Sequence, residues 1–253
     1  MLATRVIPCL LLQGARLVKT VSFRDPTYVG DPRNAVKIFN EKEVDELALL
    51  DIGATPNGSP LQLDLIREIV SEAFMPVTYG GGIRTVEEAR EVLALGVEKV
   101  ILNSSAIRQP DLVADAAALL GGQSVVASID AKRAASGVYE VWIDGGRTNT
   151  GLGAAACATL MEARGAGEIL INSIDRDGTR TGYDLELVRL VSSAVRVPVI
   201  ACGGAGSLAD LATVVKDGGA SAAAAGSLFV HQGRHRAVLI SYPDQLTLKR
   251  LFG

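Results

Sequence analysis

Four aspartates stand at or just beyond the ends of short apolar runs: Asp51, Asp130, Asp175 and Asp177. A carboxylate in such a place is lifted out of bulk water, so its pKa can move toward the range useful for general acid/base work. Asp130 ends the run Val125–Ile129, a poor place for an idle charge. Lys132 is a candidate ion-pair partner for it. Asp51, Asp175 and Asp177 have helix caps or turns as their bland alternative. Glycines mark a second chemistry. Tyr79-Gly80-Gly81-Gly82-Ile83 is followed by Asn103-Ser104-Ser105, and Cys202-Gly203-Gly204-Ala205-Gly206 by Gly226-Ser227. Glycine lets backbone N–H groups approach an anion closely, and hydroxyls with a following helix N-terminus add donors and a favourable dipole. Two such cradles point to a long ligand with a phosphate at each end. Lys19 is placed in a loop from which it could close over a phosphate. A last set, Arg5, Glu46, Lys99 and Glu168, lies at strand starts and forms a ring of alternating charge if the side chains point inward. Outward strand-start charges are the alternative.

The elements that must position these groups alternate along the chain. Strands are expected at Arg5–Leu11, Glu46–Asp51, Pro76–Tyr79, Lys99–Leu102, Ser124–Asp130, Glu168–Asn172, Pro198–Cys202 and Ser221–Ala225. Their near-continuous Val, Ile, Leu and Ala content fits strands buried on both faces. Helices are expected at Pro60–Ser71, Val86–Leu95, Pro110–Leu120, Gly153–Arg164, Asp184–Ser193 and Leu208–Lys216. Thr85 with Glu88 forms a capping-box pattern, and Asp184 and Ser207 are further caps. Eight βα units predict an α/β fold, a single (β/α)8 TIM barrel over residues 1–253. Sequence matches at an offset of 122 residues, such as Pro76/Pro198, Gly81-Gly82/Gly203-Gly204 and Glu46/Glu168, predict two half-barrels, about 1–122 and 123–253. At that offset Asp130 has no matching carboxylate near the end of the first strand, where Leu11 stands. Two stretches exceed a minimal barrel, Leu12–Asp31 and Lys132–Gly151. The first reads as a long loop and the second as a loop with a small hairpin around Val138–Ile143. Both follow strand C-termini, the face where barrels carry their sites.

The chain has 253 residues, a formal net charge of −3 and a positive mean hydropathy. That argues against a nucleic-acid module. Three scattered cysteines and two histidines make no zinc set, and no metal or redox cofactor is implied. No signal peptide or membrane span is read, so a cytoplasmic location is expected.

Nearly the whole chain resembles the cyclase-subunit family of imidazole-glycerol-phosphate synthase. The resemblance rests on Arg5-Val6-Ile7-Pro8-Cys9-Leu10, Gly30-Asp31-Pro32, Leu50-Asp51-Ile52, Gly80-Gly81-Gly82-Ile83, Ile129-Asp130-Ala131-Lys132-Arg133, Arg164-Gly165-Ala166-Gly167-Glu168-Ile169 and Ser173-Ile174-Asp175-Arg176-Asp177-Gly178-Thr179. It implies a (β/α)8 barrel with a glutaminase, a class I glutamine amidotransferase, docked on its N-terminal face. Ammonia would pass a charged gate matched by Arg5, Glu46, Lys99 and Glu168 and cross the barrel to a phosphorylated ribonucleotide. Gly82, Asn103, Ser104, Asp177, Gly178, Gly204 and Ser227 match phosphate-binding positions, and Lys19 the loop lysine. The family's acid/base pair is two aspartates; Asp130 fills one place, and Leu11 stands in the other. Cys9-Leu10-Leu11-Leu12 and His235-Arg236-Ala237-Val238-Leu239-Ile240-Ser241-Tyr242-Pro243 resemble instead a paralogous branch associated with acetamidino-sugar modification of surface polysaccharides, in which a sugar amidotransferase is a further partner. The resemblance implies ammonia delivery to a sugar. The alternatives are a working cyclase in which Asp51 or a water replaces the missing aspartate, a non-catalytic glutaminase scaffold, and an isomerase of a related bisphosphate.

Overall fold

The computed structural model describes residues 4–253. Eight strands run parallel and close on themselves: β1 (Arg5–Gln13), β2 (Leu47–Asp51), β3 (Val77–Gly80), β4 (Lys99–Leu102), β5 (Val125–Arg133), β6 (Glu168–Ser173), β7 (Val199–Cys202) and β8 (Ala222–Ala225). Each pairs with the next in sequence, and β8 returns to β1. Outside lie α1 (Pro32–Glu41), α2 (Leu63–Ser71), α3 (Val86–Ala94), α4 (Asp111–Leu120), α5 (Ala154–Ala163), α6 (Leu185–Ser192), α7 (Leu208–Lys216) and α8 (Gln245–Phe252). The expected eight-stranded (β/α)8 barrel is therefore the fold. Among the described residues, no helix is long and apolar enough to cross a membrane.

Strand parity divides the apolar residues between two cores. Val6, Leu10, Leu49, Val100, Ile129 and Ile171 face outward and pack on helix residues such as Val36, Phe39, Ile69, Val92 and Val214. Their neighbours Ile7, Cys9, Ala48, Ile101, Val126, Leu170, Ile200 and Ala224 face the barrel axis. With both faces buried, every residue of β7 and β8 can be apolar, and each of them is buried. Local signals fix where the helices begin. Thr85 Oγ1 accepts from Glu88 N while Glu88 accepts from the Thr85 N–H, and Ser207 with Asp210 repeats the arrangement. Asp184 accepts from Leu187 N at the start of α6.

Two hairpins extend barrel strands beyond the rim. Tyr139–Ile143 pairs antiparallel with the end of β5, setting Trp142 opposite Asp130, and with Thr148–Gly153. This is the hairpin expected after Lys132. The first insertion, expected as a loop, is instead also a hairpin. Arg16–Val21 pairs with the end of β1, setting Val18 opposite Leu11, and with Arg24–Gly30. Its two-residue turn is Ser22-Phe23, at φ 48° and 62°. Left-handed backbone at both central positions suits the twist of a hairpin, even though neither residue is the usual Asn or Gly.

Candidate active site

The C-terminal ends of the strands surround a cavity of about 220 Å³. Its wall includes Leu11, Lys19, Asp51, Gly82, Asn103, Ser104, Asp130, Asp177, Gly178, Gly204 and Ser227. Chain folding thus gathers these residues around one cavity, whereas Asp175 lies outside it. The tips of the hairpins reach over it, since Phe23, Gly145 and Arg147 also line it and Phe23 lies against Gly146.

Asp130 is one of three buried carboxyls lining the cavity, with Asp51 and Asp177. Asn103 Nδ2 donates to its Oδ2 at 3.2 Å and also to Ser128 O at 3.0 Å. Burial, followed by the charge of Asp177, pushes its pKa up to about 7, against the opposing effect of hydrogen bonds from Asn103 and Asn172. Such a carboxyl exchanges its proton near neutral pH. The cavity wall on the β1 side is of another kind: Cys9, Leu11, Leu50 and Ile52. Leu11 pairs in register with Leu50 and offers no donor or acceptor. A thiol contact with Cys9, together with burial, holds Cys202 well above the usual thiol range, so no thiolate nucleophile forms there at neutral pH.

The other acid/base candidates have structural engagements. Asp51 Oδ1 accepts from Gly53 and Ala54 N–H at 2.9 and 3.0 Å, and Oδ2 from Gln62 Nε2 at 3.2 Å. It caps the turn after β2 while lining the cavity. Asp175 is exposed and accepts from Arg133 N, so it is a turn residue at the rim and not part of the cavity wall. Lys132 is not the partner of Asp130 either. Its ammonium lies 5.3 Å from the centre of the Trp142 ring. Lys19 is not a free loop lysine: it is buried and donates to Asp177 Oδ1 at 2.8 Å, while Thr20 Oγ1 donates to Asp177 Oδ2 at 3.0 Å. Asp177 N donates to Ser173 O. Asp177 therefore clasps the first hairpin to the barrel, and it brings the Lys19 charge to the cavity.

The two glycine turns have matching backbones. Gly82 has φ 78° and Gly204 φ 113°, and a Cβ on Gly204 would lie 2.2 Å from Gly182 O. Only glycine fits there, because any side chain would collide with the neighbouring main chain. The hydroxyls beside the turns differ. Ser104 Oγ donates to Asn103 Oδ1 and accepts from Asp144 N, both at 3.0 Å. Ser227 Oγ and Asn172 Oδ1 are buried in the wall without a hydrogen-bond partner among the described residues. Buried unpaired polar atoms are costly, and a polar ligand in the cavity would satisfy them.

At the opposite end of the barrel the four strand-start charges do point inward and meet. Arg5 forks to Glu46 Oε2 at 2.6 Å and Glu168 Oε1 at 2.7 Å. Lys99 Nζ lies 3.2 Å from Glu168 Oε2 and 3.6 Å from Glu46 Oε2. Thr78 Oγ1 completes the ring by donating to Glu46 Oε1 at 2.6 Å. Thr78 and Asn172 are site residues that the sequence alone does not single out. Strand parity is the signal that could have placed them, because Thr78 pairs with Lys99 and Asn172 with both Asp130 and Cys202.

Comparison with known proteins agrees with this geometry. Residues 5–236 match the family described as histidine biosynthesis protein. A Pseudomonas aeruginosa protein provisionally named imidazole glycerol phosphate synthase subunit hisF2 is 52% identical over 244 residues, 96% of this chain and 97% of that protein. A Leptospira borgpetersenii protein provisionally named as subunit HisF of that synthase is 47% identical over the full length of both. The HisF subunit of Alkaliphilus metalliredigens is 46% identical, covering 90% of this chain and 91% of its own. A closed barrel with a charge ring at one end and a polar cavity at the other thus meets matches over most of its length, and the chain belongs to the histidine biosynthesis protein family, within which it is similar to HisF proteins.

Proposed function

We propose that this barrel is the acceptor subunit of a glutamine-dependent amidotransferase complex. A partner glutaminase releases ammonia at the N-terminal face, the ammonia crosses the barrel, and it meets a phosphorylated ligand in the cavity. One observation carries the reading. The paired ring of Arg5, Glu46, Lys99 and Glu168 lies at one end of the barrel axis, and the cavity that holds Asp130 lies at the other. Glu46 and Glu168 are buried and Arg5 and Lys99 half-buried. A barrel axis is ordinarily filled with apolar side chains, and even paired charges there add little stability, so passage of a small polar molecule explains the ring better. The relatives' names supply the complex: they are subunits of a synthase.

Within that reading we assign the chain to ammonia delivery for acetamidino-sugar synthesis in surface polysaccharides, with a sugar amidotransferase as further partner. Leu11 supports this. Cyclisation of the histidine-pathway ribonucleotide calls on two proton-transferring carboxyls, whereas the end of β1 brings Cys9 and Leu11 to the cavity, with Leu50 beside Leu11. A missing acid/base group typically costs about 10²–10⁴-fold in rate. The test is ammonia-dependent turnover of that ribonucleotide by the purified chain, together with complementation of a cyclase-deficient histidine auxotroph. Near-background turnover and no growth are expected; efficient cyclisation overturns the assignment to sugar synthesis while leaving the ammonia route in place. A working cyclase is the second reading. The near-neutral Asp130 and both glycine turns favour it.

A further inference from the structure

Beyond the first glycine turn the cavity does not end. Thr55, Pro56, Ile83, Ser105 and Arg147 line both the mouth and a second depression of about 570 Å³ on the outer rim. This groove runs between the Ala54–Asn57 turn, the Ser104–Arg108 helix and the tip of the second hairpin. Its charges are unequal: Arg84, Arg108 and Arg147 face one carboxylate, Asp144. That carboxylate is already shared, receiving Arg108 Nη2 at 2.5 Å and Thr148 Oγ1 at 3.0 Å. The Arg84 guanidinium donates to a neutral acceptor, Ser59 O, at 2.8 Å, which holds it in place without cancelling its charge. Arg147 has no side-chain partner among the described residues, and it stands where mouth and groove join.

A terminal phosphomonoester would finish at the Gly81-Gly82 turn and leave these two guanidinium groups unused. A ligand that continues past its first phosphate would run along them. Guanidinium forks match phosphate oxygens in geometry and stay charged at any physiological pH. Resting on the reading of the mouth as a phosphate site, we infer that the groove is an outer anion subsite, and that the ligand carries a diphosphate at this end of the mouth. The inner phosphate lies at the Gly81-Gly82 turn and the outer one between Arg84 and Arg147.

Titration calorimetry of the whole chain with orthophosphate and with pyrophosphate at equal ionic strength tests this. Pyrophosphate is expected to bind about tenfold more tightly or better, the worth of one charge-assisted hydrogen-bonded pair. Arg84→Ala and Arg147→Ala should each remove most of that advantage, and Arg84→Ala should leave orthophosphate affinity within about twofold. Equal affinity for the two anions, or an advantage that survives both substitutions, overturns the outer subsite. If neither anion binds, the phosphate reading of the mouth falls with it. If orthophosphate binds and pyrophosphate binds no better, only the groove assignment falls.

Discussion

Asp130 shows how one side chain ties stability to chemistry. In the folded chain its pKa is about 7, whereas an aspartate in an unfolded chain titrates near ~3.9. Between those values the native state holds a proton that the unfolded state has lost. Stability therefore falls as pH rises through that window and levels off above about 7. Asn at position 130 is neutral throughout, so Asp130→Asn should gain stability relative to the parent on going from pH 5 to pH 8, by on the order of a few kcal/mol. Urea denaturation at the two pH values measures it, and an unchanged difference would show that the carboxyl is not held protonated. The same substitution should lower any proton-transfer step in the cavity by about 10²–10⁴-fold. Asp130 was legible in the sequence because a charge ending an apolar run needs a reason. Thr78 was not, because a threonine at a strand start is ordinary until its parity with Lys99 is known. Asp175 misled for the converse reason: its spacing resembles that of Asp177, but only Asp177 faces inward.

The barrel strands were read within a few residues because continuous burial leaves continuous apolar runs. The hairpin after β1 left no such trace. In Arg16–Val21 the residues Leu17, Val18, Lys19 and Thr20 are all buried, so no alternation appears. Arg24–Gly30 is mostly exposed and contains Pro26, and its turn lacks Asn-Gly. Beyond its own ladder and the pairing with β1, tertiary partners hold it. Asp177 supplies three of them, through Lys19, Thr20 and its own carbonyl, which accepts from Ser22 N at 2.8 Å. Replacing Asp177 by Ala strands the Lys19 ammonium in a buried place, a loss of about 3–5 kcal/mol for a fully buried pair. Amide hydrogen exchange in residues 16–30 should accelerate by at least about a hundredfold while β3 and β4 keep their protection. Uniform acceleration across the barrel would instead mean that the clasp supports the whole fold.

At the scale of the molecule, the charge ring and the cavity lie at opposite ends of one barrel axis, and the side chains lining that axis are uneven in size. Large side chains such as Ile7, Ile101 and Leu170 share it with Ala48, Ala222 and Ala224. In register, Ala222 lies beside Arg5 of the ring and Ala224 beside Ile7, one step further toward the cavity. Small residues at that level put the least side-chain volume beside the path the proposed function requires. Ala224→Leu narrows it with apolar volume alone, adding no charge and touching neither ring nor cavity chemistry. Overpacking a fully buried alanine should cost about 1–3 kcal/mol, which a barrel of this size tolerates. In the assembled complex most glutamine-driven amidation should then be lost, while ammonium salt supplied from solution still supports turnover, because it reaches the cavity from the open mouth. Equal loss with both nitrogen sources would mean that the cavity itself was distorted. Unchanged glutamine-driven output would mean that ammonia travels by another route, and the charge ring would then need a different explanation.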